Sequence, residues 1–344
     1  MIKQRIEYLD SARGMASLSV LIFHSVLAFS STDIYMGGIN FFFEKYFDLG
    51  KIAVIVFFLI SGFVIPFSIK GEDKSKAIKG FIISRFFRLY PVYWLSVLMG
   101  YLIIGNVSSL EFIVNFTMLQ QFLGFKNIIG LYWTLQIEMI FYFLVVLVFI
   151  LNWLGNIKKE FMLSLVFLFL ALVMAYFRFE LDIKLPVAIP LSLSLMFFGA
   201  YYRTLALFDN PKAEKLTKIY CLLYFILIPI ICVLGYNKEM GFNESWYKYT
   251  ITYFSGITLF FLIGKYRLSN FYTEYLGKIS YSLYLFHPII IYVLQKIDFQ
   301  IPLNGYLKLI ITLIITILFS HYSYAFIENP SINYGKKLKK ILSK

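Results

Sequence analysis

Apolar stretches of about twenty residues recur ten times along this chain, each long enough to cross the hydrocarbon core of a bilayer as a helix. They lie at 11–30, 49–69, 86–105, 131–151, 160–177, 185–204, 216–235, 247–264, 278–296 and 306–326. Lipid offers no partners to a backbone, so a spanning segment must satisfy its peptide groups internally, which a helix does. The expected fold class is therefore all-α, a polytopic transmembrane helical bundle of about ten spans. Composition agrees: only 15% of the residues are charged and 60% are hydrophobic, too little polar surface to cover a soluble core of this size. The third and sixth spans carry Pro91, Pro186 and Pro190, which membrane helices tolerate where neighbours satisfy the freed carbonyls. The first apolar run contains Arg13 and His24 and lacks a small-residue cleavage site; it is expected to be a retained span, not a signal peptide.

The net charge of +13 is a matter of topology. Lys and Arg cluster between the apolar runs, the distribution that orients a membrane protein, so no nucleic-acid partner is expected. One set of alternate connections receives Lys3, Arg5 and Arg13, six basic residues from Lys70 to Arg88, Lys158 and Lys159, and Arg203 with Lys212, Lys215 and Lys218. It also receives Lys265, Arg267 and Lys278, then Lys336, Lys337, Lys339, Lys340 and Lys344. That side holds 23 of the 32 basic residues, which predicts both termini in the cytoplasm and an even number of spans. Residues 1–335 form the transmembrane domain and 336–344 a short basic tail near anionic headgroups. The longest non-cytoplasmic connection, about 106–130, lies on the membrane surface or re-enters it. The location expected is the cell membrane, multi-pass.

Ionisable side chains inside membrane spans are costly and mark function by default. All three histidines, His24, His287 and His321, fall within predicted spans. Arg13 and His24 share the first span; eleven helical steps return them to within about 20° of one face, ~16 Å apart. Arg13 then lies at the cytoplasmic edge and His24 past the midplane. Arg13 alone is open to a simpler reading as a snorkelling residue. The fourth span opens with Trp133-Thr134-Leu135-Gln136-Ile137-Glu138, placing Glu138 at nearly the depth of His24. A His and a Glu there form a candidate base–orienter pair; the alternative is that Glu138 pairs with another buried donor and only holds helices together.

Arg85 and Arg88, at i and i+3, share a face at the start of the third span. Their guanidinium forks suit phosphate, with a positive-inside cluster as the plain alternative. The ninth span carries Ser280, Tyr284 and His287 as one polar stripe. Glu328, at the end of the tenth, is expected to make a structural pair with a nearby Arg or Lys. Cys221 and Cys232 lie eleven residues apart on one span, roughly 16 Å, beyond disulfide reach. The histidines lack the spacing and cysteine partners of a metal site, so no metal is expected.

Taken in order, these elements resemble the acyltransferase-3 family of integral membrane O-acyltransferases. The family's first-span pattern of a basic residue, ten residues and a histidine appears as Arg13 and His24, preceded by Leu9-Asp10-Ser11-Ala12. Its phenylalanine–serine–glycine element appears as Phe57 to Phe63, and its paired arginines before a proline as Arg85, Arg88 and Pro91. Trp133 to Tyr142, Ser280 to Pro288 and Glu328-Asn329-Pro330 complete the series. Just before Phe57 the family often carries an acid, whereas this chain has Ala53-Val54-Ile55-Val56. The resemblance runs from residue 8 to about 335 and matches the form without a soluble esterase-like domain.

What the resemblance implies is transfer of an acyl group, acetyl foremost, from cytoplasmic acyl-CoA to a sugar hydroxyl of a cell-envelope or secreted glycan. Acyl-CoA is then a donor substrate, and no permanently bound cofactor is expected. Arg13, Arg85 and Arg88 stand where the coenzyme's phosphates would approach. His24 would be the general base or carry the acyl group itself, with Glu138 and Arg13 in support. Trp133, Tyr142, Ser280, Tyr284 and His287 would contact substrate. A polytopic transporter or flippase for a glycolipid or polysaccharide precursor is the other reading, because it too would bury Arg, His and Glu.

Overall fold

The computed structural model describes residues 7–30, 34–240, 245–297 and 304–342; Lys3, Arg5 and Lys344, used above for orientation, lie outside them. Thirteen α-helices and no strand occur among the described residues. Nine helical segments there are long and apolar enough to cross a membrane. Helix α1 is Glu7–Phe29, and α2 (Ile34–Lys45) leads to α3 (Leu49–Val64). Then come α4 (Lys74–Ile104), the short α5 (Ser109–Asn115) and α6 (Trp133–Ile150). Helices α7 (Ile157–Leu181), α8 (Ala188–Phe208), α9 (Pro211–Gly235) and α10 (Trp246–Tyr266) follow, before α11 (Phe271–Ile297), α12 (Gly305–Ser323) and α13 (Asn329–Leu342). Helix α10 occupies the predicted eighth span and has 21 residues. It is less apolar than the nine because Lys248 and several Thr and Tyr lie in it.

Polar residues at the helix starts explain where the chain begins to coil. Asp48, Asp73 and Asn156 each accept the backbone N–H three residues on, using a donor the first turn leaves unpaired. Asn210 does the same with Pro211 following it, and Ser108 and Glu111 form a reciprocal capping box. Facing outward, α7 exposes Val166, Phe169, Leu170 and Val173, and α9 exposes Leu222, Ile226 and Ile230. An apolar exterior of this kind is what a lipid-facing surface requires.

Inside, glycines set the helix crossings. A Cβ at Gly277 of α11 would overlap the carbonyl oxygen of Asp10, and one at Gly62 of α3 would overlap that of Met196 on α8. Small residues let membrane helices approach to backbone contact, where dispersion and weak C–H···O bonds replace the absent hydrophobic drive. Helix α1 thus packs along α11 and α3, while α3 also packs on α8 and α10.

One expectation changes and two gain detail. The third span does not begin near residue 86: α4 starts at Lys74 and runs for 31 residues, ~46 Å. Arg85 and Arg88 are therefore about three to four turns inside a helix, not loop residues, and of the six basic residues counted there only Lys70 lies outside it. The basic tail is helical as far as Leu342, following a π-helical turn at Tyr324–Glu328. It packs on α4, with Tyr334 against Phe87 at 5.2 Å. Finally, the connection after α4 folds back along it. Tyr101 stacks on Phe112 (4.2 Å), Trp94 Nε1 donates to Phe116 O (3.0 Å) and Tyr90 Oη to Thr117 O (3.1 Å). Contact moves from Tyr101 to Tyr90, so this hairpin descends ~16 Å along α4. It is re-entrant. Irregular backbone at that depth must be satisfied by protein, and buried Asn115 does this, donating to Glu111 O and Lys126 O and accepting from Ile128 N.

Candidate active site

Helices α1 and α11 run parallel, joined at one end where Gly14 meets Gly277. Ten residues beyond each glycine stands a histidine, so equal helical rise carries His24 and His287 to the same level. They touch there. His24 Nδ1 lies 3.1 Å from His287 Nε2, with the rings within 10° of parallel. His287 Nδ1 lies 3.1 Å from the carbonyl oxygen of Leu283.

This chain of contacts fixes both tautomers. A carbonyl oxygen only accepts, so His287 Nδ1 carries the proton and its Nε2 is a bare acceptor. His24 must then donate from Nδ1, leaving Nε2 unprotonated and without a partner among the described residues. His287 is fully buried, whereas His24 lines a cavity of about 280 Å³. An imidazole held with one free lone pair over a cavity is prepared to accept a proton.

The wall of that cavity includes Trp133 and Tyr284, both expected from sequence, and four charged residues that were not: Glu44, Asp48, Lys51 and Lys248. Asp48 Oδ2 accepts from Lys51 Nζ at 2.8 Å. Lys248, on α10, is 3% exposed and donates to the carbonyl oxygen of Glu44 at 2.9 Å. Lys51, the one ionisable residue in a long apolar run, was the available signal for this set.

A second cavity, of about 170 Å³, lies nearer the N-terminal end of α1 and is lined by Arg13, Arg85, Arg88, Glu138 and Ser280. Three guanidinium groups face one carboxylate, which leaves an excess of positive charge suited to a polyanion such as a phosphate chain. Arg85 stacks over the rings of Phe81 and Tyr142 at 5.5 and 5.7 Å, and its Nε has no partner among the described residues. Arg13 makes a 3.4 Å pair with Asp10. Ser280 spends its hydroxyl on Gly277 O at 2.8 Å.

Three site expectations are corrected. Glu138 does not orient His24. It accepts from Tyr142 Oη at 2.7 Å and faces the arginine cavity. It lies five residues along α6 from Trp133, ~7.5 Å deeper than the His24 cavity. Tyr142 is buried beside Glu138 and lines neither cavity, and His287 lies behind His24 and lines neither cavity. His321 is on an outward face of α12, bonded to the Tyr275 hydroxyl. Glu328 is buried and accepts from Ser282 at 2.9 Å, and Arg88 is the basic neighbour close enough to act on its charge. Among the described residues no cluster of side chains could hold a metal ion.

Comparison with known proteins places this site in context. Residues 6–324 match the model of an acyltransferase domain. Proteins of Staphylococcus aureus strains COL and N315, each named "Putative O-acetyltransferase", are 26% identical over 96% of this chain. The chain spans only 58% of the length of these relatives. The O-acetyl transferase of Shigella phage Sf6 is 25% identical over 93% of this chain and 94% of its own length. No solved structure matches. A match that begins before α1 and reaches past α12 takes in both cavities and the His24–His287 pair between helices far apart in sequence; the chain belongs to the acyltransferase-3 family.

Proposed function

We propose that this chain is a membrane O-acyltransferase that moves an acyl group, acetyl foremost, from cytoplasmic acyl-CoA to a hydroxyl of a saccharide in the cell envelope. The donor's phosphates sit among Arg13, Arg85 and Arg88, and the acceptor enters the cavity of His24. The observation that carries the reading is the hydrogen-bonded series from Leu283 O through His287 to His24, which leaves His24 Nε2 as a base of defined tautomer.

In the reaction, Nε2 takes the acceptor hydroxyl's proton as that oxygen attacks the thioester carbonyl. The C–O bond forms, the C–S bond breaks, and the imidazolium returns its proton to the departing thiolate, giving ester and free thiol. His287 Nε2 holds the His24 Nδ1 proton throughout, so the ring stays in register while its charge changes. Trp133 and Tyr284 offer aromatic faces to a sugar ring, and Lys51, Asp48 and Lys248 offer hydrogen bonds to its hydroxyls.

The test is direct. Purified protein in proteoliposomes should release free thiol from acetyl-CoA and acetylate host envelope saccharides, read by mass spectrometry, without net translocation of the saccharide. Translocation without ester formation would return the chain to the transporter reading. Arg13→Ala should weaken acetyl-CoA binding by about 10–100-fold, the worth of one hydrogen bond to a charged partner, while protein level and orientation hold. Arg13→Lys should recover part of it, keeping the charge without the planar fork. Unchanged affinity in the alanine variant would leave Arg13 as a snorkelling residue.

The reading also places both termini in the cytoplasm, following the basic asymmetry. A reporter fused after Lys344 should report the cytoplasm and one inserted near Lys238 the opposite side. The same side for both would mean an even number of spans between those positions, against the three expected.

A further inference from the structure

Helices that line the two cavities change from one to the other in a consistent axial order. On α3, Lys51 faces the His24 cavity, Val54 faces both, and Ser61 faces the arginine cavity. On α6 the change falls between Trp133 and Thr134, and on α11 Tyr284 touches both cavities while Ser280 touches only the lower. Two cavities ordered this way on several helices are one axial passage pinched at a single level, that of Val54, Thr134 and Tyr284.

Tyr284 is the movable part of the pinch. Val54 is a short, stiff side chain, whereas the tyrosine ring is long and its hydroxyl is fastened to the first turn of α6. That hydroxyl lies 2.8 Å from Thr134 Oγ1 and 3.2 Å from Leu131 O. Phe57 and His287 meet the ring edge-on, with centroids 6.2 and 6.0 Å away. Rotation of the side chain breaks hydroxyl bonds at one end and leaves the backbone of α11 untouched.

We propose that Tyr284 is a displaceable septum between the arginine cavity and the His24 cavity, moved aside by the narrow acyl-thioester end of the donor. Its identity as a donor gate rests on the acyl-CoA reading; its existence as a barrier does not. Closed, the ring keeps water in the His24 cavity away from the thioester. Without it, water attacks the thioester carbon and the C–S bond breaks. The products are a free carboxylic acid and the coenzyme's thiol, which take the oxygen and both hydrogens of that water.

The barrier is tested with Ser61→Cys in a Cys221→Ala, Cys232→Ala background, reconstituted in vesicles of known orientation. The probe is sulfonatoethyl methanethiosulfonate, a small impermeant anion that the arginines attract. The introduced thiol should react from one face only. Adding Tyr284→Ala should raise the rate from the other face about 10-fold or more, and Tyr284→Phe or Thr134→Val, which loosen the fastening and keep the ring, by about 3-fold, since one hydrogen bond is worth up to that factor or more. Labelling from both faces before Tyr284 is changed overturns the septum. So does labelling that stays one-sided in Tyr284→Ala or, if that variant does not fold, in both milder variants. In parallel, acetyl-CoA cleavage without acceptor should rise with the second-face labelling. If labelling opens as expected and no form of the protein cleaves acetyl-CoA, the septum stands and the acyl-CoA reading falls.

Discussion

His24→Ala is expected to lower acyl transfer by roughly 10²–10⁴-fold, the range for losing a positioned general base, while acyl-CoA affinity changes by no more than a few fold. The separation follows from geometry. His24 lines the cavity with Trp133, Lys51 and Lys248, whereas the three arginines line the other. Calorimetry in detergent with acetyl-CoA measures the binding, and mass spectrometry of acetylated saccharide measures the transfer. Transfer near the wild-type rate would remove His24 from the chemistry. His287 would not inherit its role, because it is fully buried with one ring nitrogen held by Leu283 O.

The second large effect concerns His287 as a positioning residue. In His287→Leu, His24 Nδ1–H has no acceptor, and the ring is free to rotate or to adopt the other tautomer. An orienting group that fixes a catalytic imidazole's tautomer can be worth up to about 10⁴ in rate when it is a carboxylate. A neutral imidazole fixes orientation with little charge stabilisation, so about 10² is expected here. The loss should fall on kcat with KM for acyl-CoA unchanged. His287→Gln should restore part of it, since its amide oxygen can accept from His24 Nδ1. A buried histidine that serves only packing would show neither the kcat-only loss nor the rescue by glutamine; it would lower the amount of folded protein in both variants.

Some of this was visible before any fold was considered. The ten apolar runs named the fold class, because a continuous run of about twenty apolar residues satisfies its own peptide groups in lipid as a helix, whereas a barrel strand is about half that length. Arg13, His24, Arg85, Arg88 and Glu138 were visible as ionisable residues in or beside membrane spans, where each is too costly to be incidental. Periodicity also placed Arg85 and Arg88 on one face, and both do line one cavity.

Partnership was the part that periodicity left open. Axial depth suggested Glu138 for His24, since a helix-by-helix estimate knows height and not azimuth. The bundle decided otherwise through its close crossings. Gly14 against Gly277 sets the register of α1 and α11, and equal rise from that point brings His287, not Glu138, to His24. Glu138 is then left to Tyr142 and the arginines. Lys248 reaches the site only because α10 packs on α3, nearly two hundred residues later in sequence. One chain's hydrophobic pattern determines which segments enter the bilayer; which polar groups meet there depends on backbone contacts between helices, and a few missing side chains set those.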